Sequence, residues 1–231
     1  MSTVARREDS PNLEARLRAA AAELNALAVE EEYRDPFWWD RYGERGRRFA
    51  VEDGMHHFNY VAEAVAAASP ALIVKYARWL RSVLVARGMC SEHLAEGLRI
   101  RARLVAARWS DAGPAVAVFA AAEAALQYSE GRAAALARVD ARGPATAVAS
   151  GCGVPAEAVR HDLRVLLSYL GDALAAEDPE IWLAQVEWRV GFDRRRGRPA
   201  AYLAMLLAAL APVLVGPSAR ALVEAARGRL T

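Results

Sequence analysis

Apolar residues recur along this chain at helical spacing, and no stretch alternates apolar with polar long enough to predict a strand. Leu13, Leu17, Ala20, Leu24 and Leu27 form one stripe, with Asn12 ahead of them as the cap of a helix that continues to Tyr33. Pro36 opens a ring-rich segment holding Phe37, Trp38, Trp39, Tyr42 and Phe49. Rings of this size bury large areas, so the segment is expected to plug one end of a bundle or to line a pocket. From Val51 to Ser69 the spacing turns Phe58, Val61, Ala62 and Val65 inward. Pro70 then sits at the first position of a helix, where its missing N–H is no loss. Leu72, Tyr76, Trp79, Leu80 and Val83 predict the buried face of that helix, and Gly88 its left-handed stop. A third helix starts at Ser91, with Leu94, Leu98 and Val105 on one side. Pro114 to Val139 reads as alanine-rich helix broken at Gly131. Pro155, Asp178-Pro179, Gly197-Arg198-Pro199 and Gly216-Pro217 punctuate further helices, the first running to Ala176. The pattern predicts an all-α, multi-helix bundle. Its expected parts are a flexible tail (1–11), a helical ligand-binding half (12–139), a linker rich in glycine (140–154) and a second helical half (155–231).

The two halves share a spacing. At a constant offset of 109 and without a gap, Tyr60 meets Tyr169, Pro70 meets Pro179, Trp79 meets Trp188 and Gly88 meets Gly197. Leu94 meets Leu203 and Leu98 meets Leu207, whereas alanine matches carry little weight in so alanine-rich a chain. This is the signature of a duplicated three-helix unit, two copies of which bury one continuous core. The chemistry-capable residues belong to the first copy. His56 and His57 fall opposite Val165 and Leu166, Cys90 opposite Pro199 and His93 opposite Tyr202.

Composition narrows the class. At 231 residues, 55% hydrophobic and 25% charged, the chain can bury a substantial core and is not a disordered polymer. A net charge of +2 gives no call for nucleic acid, and the arginine run at 194–196 suits the end of a helix. The apolar stretch 200–215 is short and interrupted by Pro212, so no membrane span is expected. Two cysteines make no disulfide framework and the first residues carry no apolar leader, which predicts a cytoplasmic protein.

Candidate chemistry clusters between Glu52 and Leu104. Asp53, His56 and His57 lie at i, i+3 and i+4, so the carboxylate can face either imidazole while only one histidine points inward. Cys90 and His93 share a face at a helix start. Together Asp53, His56, His57, Cys90 and His93 are the types that hold zinc or iron, the basis of a metal-dependent helical enzyme. Cys90 near a helix N-terminus and His93 is also a candidate nucleophile. The same histidines beside Trp38, Trp39, Tyr42 and Tyr60 suit a flat ligand between helices, with a neutral histidine as axial ligand. No phosphate loop, dinucleotide fingerprint or nucleophile elbow is present.

The stretch from His57 to Arg99, with Phe58, Tyr60, the Ser69-Pro70 turn and the Gly88 stop, resembles the middle helices of the phycobiliprotein and bilin-binding globin group. The helical parts of cobalamin-binding regulators are similar in the same way. The resemblance implies a globin-like first half, Leu13 to Val139, with a tetrapyrrole-sized pocket. Aligned on Phe58 and Tyr60, the group's chromophore cysteine falls at Gly54, which departs from the pattern for covalent bilin attachment. The leading expectation is a helical binding or sensor protein holding haem, bilin or cobalamin at His56, His57, Trp38, Trp39, Tyr42, Tyr60 and His93. The alternatives are the metal enzyme and a ligand-free module that packs against another protein or a second copy of itself.

Overall fold

The computed structural model describes residues 12–230, and among them every regular element is helical. The expected tail, residues 1–11, lies outside the described residues. Asn12 accepts the Ala15 N–H at 2.9 Å and starts α1 (Leu13–Glu32) as its position predicts. Asp35 accepts the Phe37 N–H ahead of α2 (Pro36–Asp53), which is broken at Gly43, where φ is +58°. Then come α3 (Met55–Ala66), α4 (Ala71–Val85), α5 (Ser91–Arg108) and α6 (Gly113–Ala125). After a turn-rich stretch and a 3-10 turn (Leu136–Arg138) follow α7 (Arg142–Cys152), α8 (Ala156–Ala176), α9 (Glu180–Arg195), α10 (Tyr202–Leu210) and α11 (Pro217–Gly228). No described helix is long and apolar enough to cross a membrane.

Four expectations need correction. The stretch 140–154 is not a linker but carries α7, which buries Ala145 and Val148. Its glycines and proline mislead because Pro144 sits in the first turn, where proline is tolerated, and Gly153 (φ +70°) is the left-handed cap. The helix from Pro114 ends at Ala125, well before the expected break at Gly131. Along α4 the buried stripe is Ile73, Tyr76 and Ala77, and Trp79 is 58% exposed. Leu27 likewise points outward at 41% exposure, and Ala28 takes the inward place.

The chain forms two compact units. Among the described residues, the first holds 12–77 together with Gly97–Ala124; the second holds Arg78–Glu96 and 125–230. The division falls inside α4 and α5 rather than at 140–154. In the first unit α1 packs on α3, burying Leu17, Leu24, Phe58 and Val61, with Phe58 edge-on to Phe119 at 5.9 Å. In the second, α8 packs against α7 and α9 around Leu163, Leu166, Leu170 and Trp182, and the Trp182 indole N–H donates to the Leu222 carbonyl at 3.0 Å.

The helix ends repeat at the spacing of 109. Ala68 (φ +47°) and Glu177 (φ +54°) are the described non-glycine residues in the left-handed region. Behind them, Ser69 N–H bonds Ala64 O and Asp178 N–H bonds Ala173 O, each at 3.0 Å. Ser69 Oγ and Asp178 Oδ1 then accept the N–H of Ala71 and Glu180. Gly88 and Gly197 follow suit, with Met89 N–H on Leu84 O and Arg198 N–H on Asp193 O. Each is the six-to-one closure of a helix that ends in a left-handed residue.

Candidate functional site

Of the three neighbouring candidates in the first unit, Asp53 and His56 are exposed and His57 turns inward. Its Nδ1 lies 3.0 Å from Tyr76 Oη, and Tyr76 is stacked on Tyr60 with ring centroids 4.0 Å apart. Burial pushes the His57 pKa well below its ordinary value, and the charges of Arg101 and His56 push it the same way. The imidazole is therefore neutral at pH 7. Burial also raises the Tyr76 pKa, so the phenol keeps its proton. With Nδ1 engaged by Tyr76, Nε2 is the nitrogen left for a ligand, and an Nδ1–H donated to Oη is the tautomer that gives Nε2 a lone pair.

The sequence reading missed what stands behind His57. Arg101 is buried in the middle of α5, where Nη1 donates to Glu32 Oε1 at 2.6 Å and to Gly97 O at 3.0 Å. Its Nη2 donates to Asn25 Oδ1 at 2.7 Å, and Asn25 Nδ2 donates to the carbonyls of Ala50 and Val51 at the end of α2. The signal was available. Arg101 falls at i+7 on the stripe Leu94, Leu98, Val105, and on the buried face of α1 Asn25 falls between Ala21 and Ala28 and Glu32 four residues after Ala28. Two glycines admit the cluster. A Cβ on Gly54 would stand 2.1 Å from Asn25 Oδ1, and one on Gly97 2.7 Å from Glu32 Oε1. Gly54 is thus filled by its neighbours, so position 54 has no room for the cysteine of a covalent bilin site.

Trp38 and Tyr42 belong to an aromatic cluster of their own. Trp38 is buried against Tyr33, Phe37 and Tyr42, with centroid separations of 5.9, 6.5 and 5.4 Å. Trp39 meets the edge of Tyr33 at 5.0 Å and stays half-exposed. Burial, with Glu32 nearby, pushes the Tyr33 pKa up to about 12. These rings pack on one another, and Phe37 meets Tyr42 at 6.0 Å.

Cys90 and His93 are buried in the second unit, Sγ lying 3.4 Å from Nδ1, and His93 meets Tyr169 edge-on at 6.1 Å. Burial and the nearby Asp172 push the Cys90 thiol far up, so it stays protonated and is a poor nucleophile at pH 7. Asp172 accepts three bonds, from Ser91 N–H at 2.8 Å, Ser91 Oγ at 2.5 Å and Tyr128 Oη at 2.7 Å. Burial still holds its carboxyl above the usual range. A second buried network joins Arg189 to Asp162 (2.7 Å) and Asp193 (2.8 Å), with Tyr202 Oη donating to Asp162 at 2.7 Å. Of the five candidate metal ligands, Asp53, His56 and His57 lie in the first unit and Cys90 and His93 in the second. Among the described residues no three His, Cys, Asp or Glu side chains gather as a metal site requires.

Fold and site together define an all-α bundle whose one inward histidine of the Asp53–His57 group is neutral and oriented by a tyrosine. No family model, curated protein or solved structure matches the chain.

Proposed function

We propose that the protein is a helical binding or sensor protein that holds a metal-centred tetrapyrrole, haem or cobalamin, through His57. The observation that supports this is the state of the imidazole: neutral, with Nδ1 engaged by Tyr76 and Nε2 left to coordinate. Tyr60 and Tyr76 provide a flat aromatic neighbour, while Trp38 is committed to its own cluster. A bilin is disfavoured, because it needs no axial nitrogen and position 54 has no room for its cysteine. The bound group would supply the absorbing and redox-active centre; the chain's part is to orient the imidazole through its bond to Tyr76. The test is titration of the purified chain with hemin and with aquocobalamin, followed by absorbance. His57→Ala should abolish the shift for whichever ligand binds, and His56→Ala should leave it. No shift with either ligand, or equal shifts in both variants, overturns the reading.

We infer in addition that the helices α3–α5 and α8–α10 are copies of one unit. Chemically unrelated residues, Ala68 and Glu177, take the same strained conformation at the same offset, with the same hydrogen bonds before and after them. Backbone geometry kept while side chains differ is what a duplication followed by divergence leaves behind.

A further inference from the structure

We propose that a second copy of this chain docks on α3, repeating between molecules a clasp that the second unit makes within itself. There, one face of α8 holds the corner between α4 and α5. Tyr169 Oη donates to the Gly88 carbonyl at 2.9 Å, Ser168 Oγ accepts the Glu92 N–H at 2.8 Å and Asp172 accepts the Ser91 N–H at 2.8 Å. The start of a helix leaves N–H groups without intrahelical partners, and here a neighbouring helix supplies the acceptors.

The spacing of 109 carries both halves of the clasp to the other copy of the unit. Ser168, Tyr169 and Asp172 become Asn59, Tyr60 and Glu63 on α3, an acceptor, a phenol and a carboxylate in the same order. Gly88, Ser91 and Glu92 become Gly197, Ala200 and Ala201 ahead of α10. Gly197 keeps the left-handed φ, +67° against +85° at Gly88, and the six-to-one closure behind it. Yet both halves stand open. Glu63, Gly197, Ala200 and Ala201 are exposed, and Asn59 and Tyr60 are half-buried. Among the described residues no hydrogen bond engages the Asn59 amide, the Tyr60 hydroxyl or the Glu63 carboxylate, nor the Gly197 carbonyl and the N–H groups of Ala200 and Ala201.

Charge favours the same pairing. Arg194, Arg195 and Arg196 are exposed at the end of α9 beside Gly197, while Asp53 and Glu63 are exposed at the end of α2 and on α3. Opposite charges of this kind steer association and are screened by salt. The two patches differ and belong to one sequence, so their contact runs head to tail and takes a second copy as its occupant. Position 200 is alanine, so the hydroxyl bond that Ser91 adds to Asp172 at 2.5 Å has no counterpart, and the contact between molecules is the weaker of the two. The proposal rests on the duplication inferred above and uses neither His57 nor a bound tetrapyrrole.

The test is sedimentation equilibrium of the full chain at pH 7 over a range of concentrations, in low and in high salt. The parent should associate, and more weakly in high salt. Glu63→Lys reverses the charge on α3, and Ala200→Trp covers the corner by bulk. Each should weaken association at least tenfold with an unchanged melting temperature; Glu63→Gln gives the same reading if lysine at 63 impairs folding. A mixture of Glu63→Lys with Ala200→Trp should recover association and stop at two copies, because each variant keeps the half that the other has lost. A contact between like patches does not recover on mixing. A parent that stays monomeric at every concentration overturns the docking and leaves the duplication standing, which urea unfolding of Ala68→Gly and Glu177→Gly tests within one chain. Association undiminished in both variants, unchanged by salt, or not recovered in the mixture overturns the docking as well.

Discussion

Glu32→Gln removes the charge that Arg101 was buried to meet. Both side chains are at most 5% exposed, and the guanidinium makes its bonds to Glu32, Asn25 and Gly97 O at 2.6, 2.7 and 3.0 Å. With the carboxylate neutralised, only uncharged acceptors face a cation that water cannot reach. Breaking one side of a buried pair costs about 3–5 kcal/mol, a large part of a typical domain's roughly 5–15 kcal/mol. Arg101→Met leaves Glu32 stranded instead and should cost a similar amount. Glu32→Leu with Arg101→Met removes both charges, and such swaps are often neutral or stabilising by about 1–4 kcal/mol. The double variant should therefore be more stable than either single one. Urea unfolding followed by circular dichroism at pH 7 measures all four proteins, provided the slope is unchanged between them. A double-variant loss equal to the sum of the single losses would refute the pairing. The same variants probe the site: Arg101 helps to depress the His57 pKa, so Arg101→Met should raise its midpoint toward the ordinary value of about 6.5, read from the imidazole proton shifts. A midpoint that does not move refutes that link.

Because the His57 pKa is lowered in the folded chain, the unfolded chain binds more protons below about pH 6.5, and stability should fall as the pH drops through that value. Asp172 and Asp193, whose carboxyls are raised, act with the opposite sign at lower pH, so the His57 share is isolated by comparing His57→Gln with the parent; identical pH profiles would contradict it. Ala68→Gly and Glu177→Gly should each stabilise by about 0.5–1 kcal/mol, the left-handed strain relieved less the backbone entropy glycine adds. Destabilisation at either position in urea unfolding would count against the shared helix-end geometry. Gly54→Ala should cost about 1–3 kcal/mol through the clash with Asn25, and a neutral result would show that the cluster yields. In native protein a thiol reagent should label the partly exposed Cys152 and spare Cys90 until unfolding; fast double labelling would refute the burial of Cys90.

Helix ends were the most legible feature of the sequence. Asn12, Gly88, Ser91 and Pro217 mark their boundaries because caps and left-handed stops act locally, through bonds a few residues long. The same logic failed at 140–154, where Gly143, Pro144 and Gly153 serve the two ends of a helix and the burial of Ala145 and Val148 decides the outcome. Alanine hides such a helix, since it scores as neither loop nor core until a neighbour covers it. Trp79 failed for a related reason. A large apolar ring marks a buried face only on average, and on α4 the smaller Ile73 and Ala77 take that face.

The site was legible in its titratable residues and illegible in their partners. His57 stands out as one of an adjacent pair, and the i, i+3, i+4 spacing says only that one of the two turns in. His57 is the one that meets Tyr76, nineteen residues away, and the stripe reading of α5 did not include Arg101, buried on the same helix. A charged residue at a core position is the stronger clue. Burying it alone is prohibitive, so its presence requires a partner of opposite charge on the facing helix, and Glu32 and Asn25 occupy the matching interior positions of α1. The same rule picks out Arg189 between Asp162 and Asp193 in the second unit. Polar residues out of phase with their own helix thus locate the interior networks of this chain more surely than its histidines do. In the first unit, Arg101 of that network adds to the burial that lowers the His57 pKa.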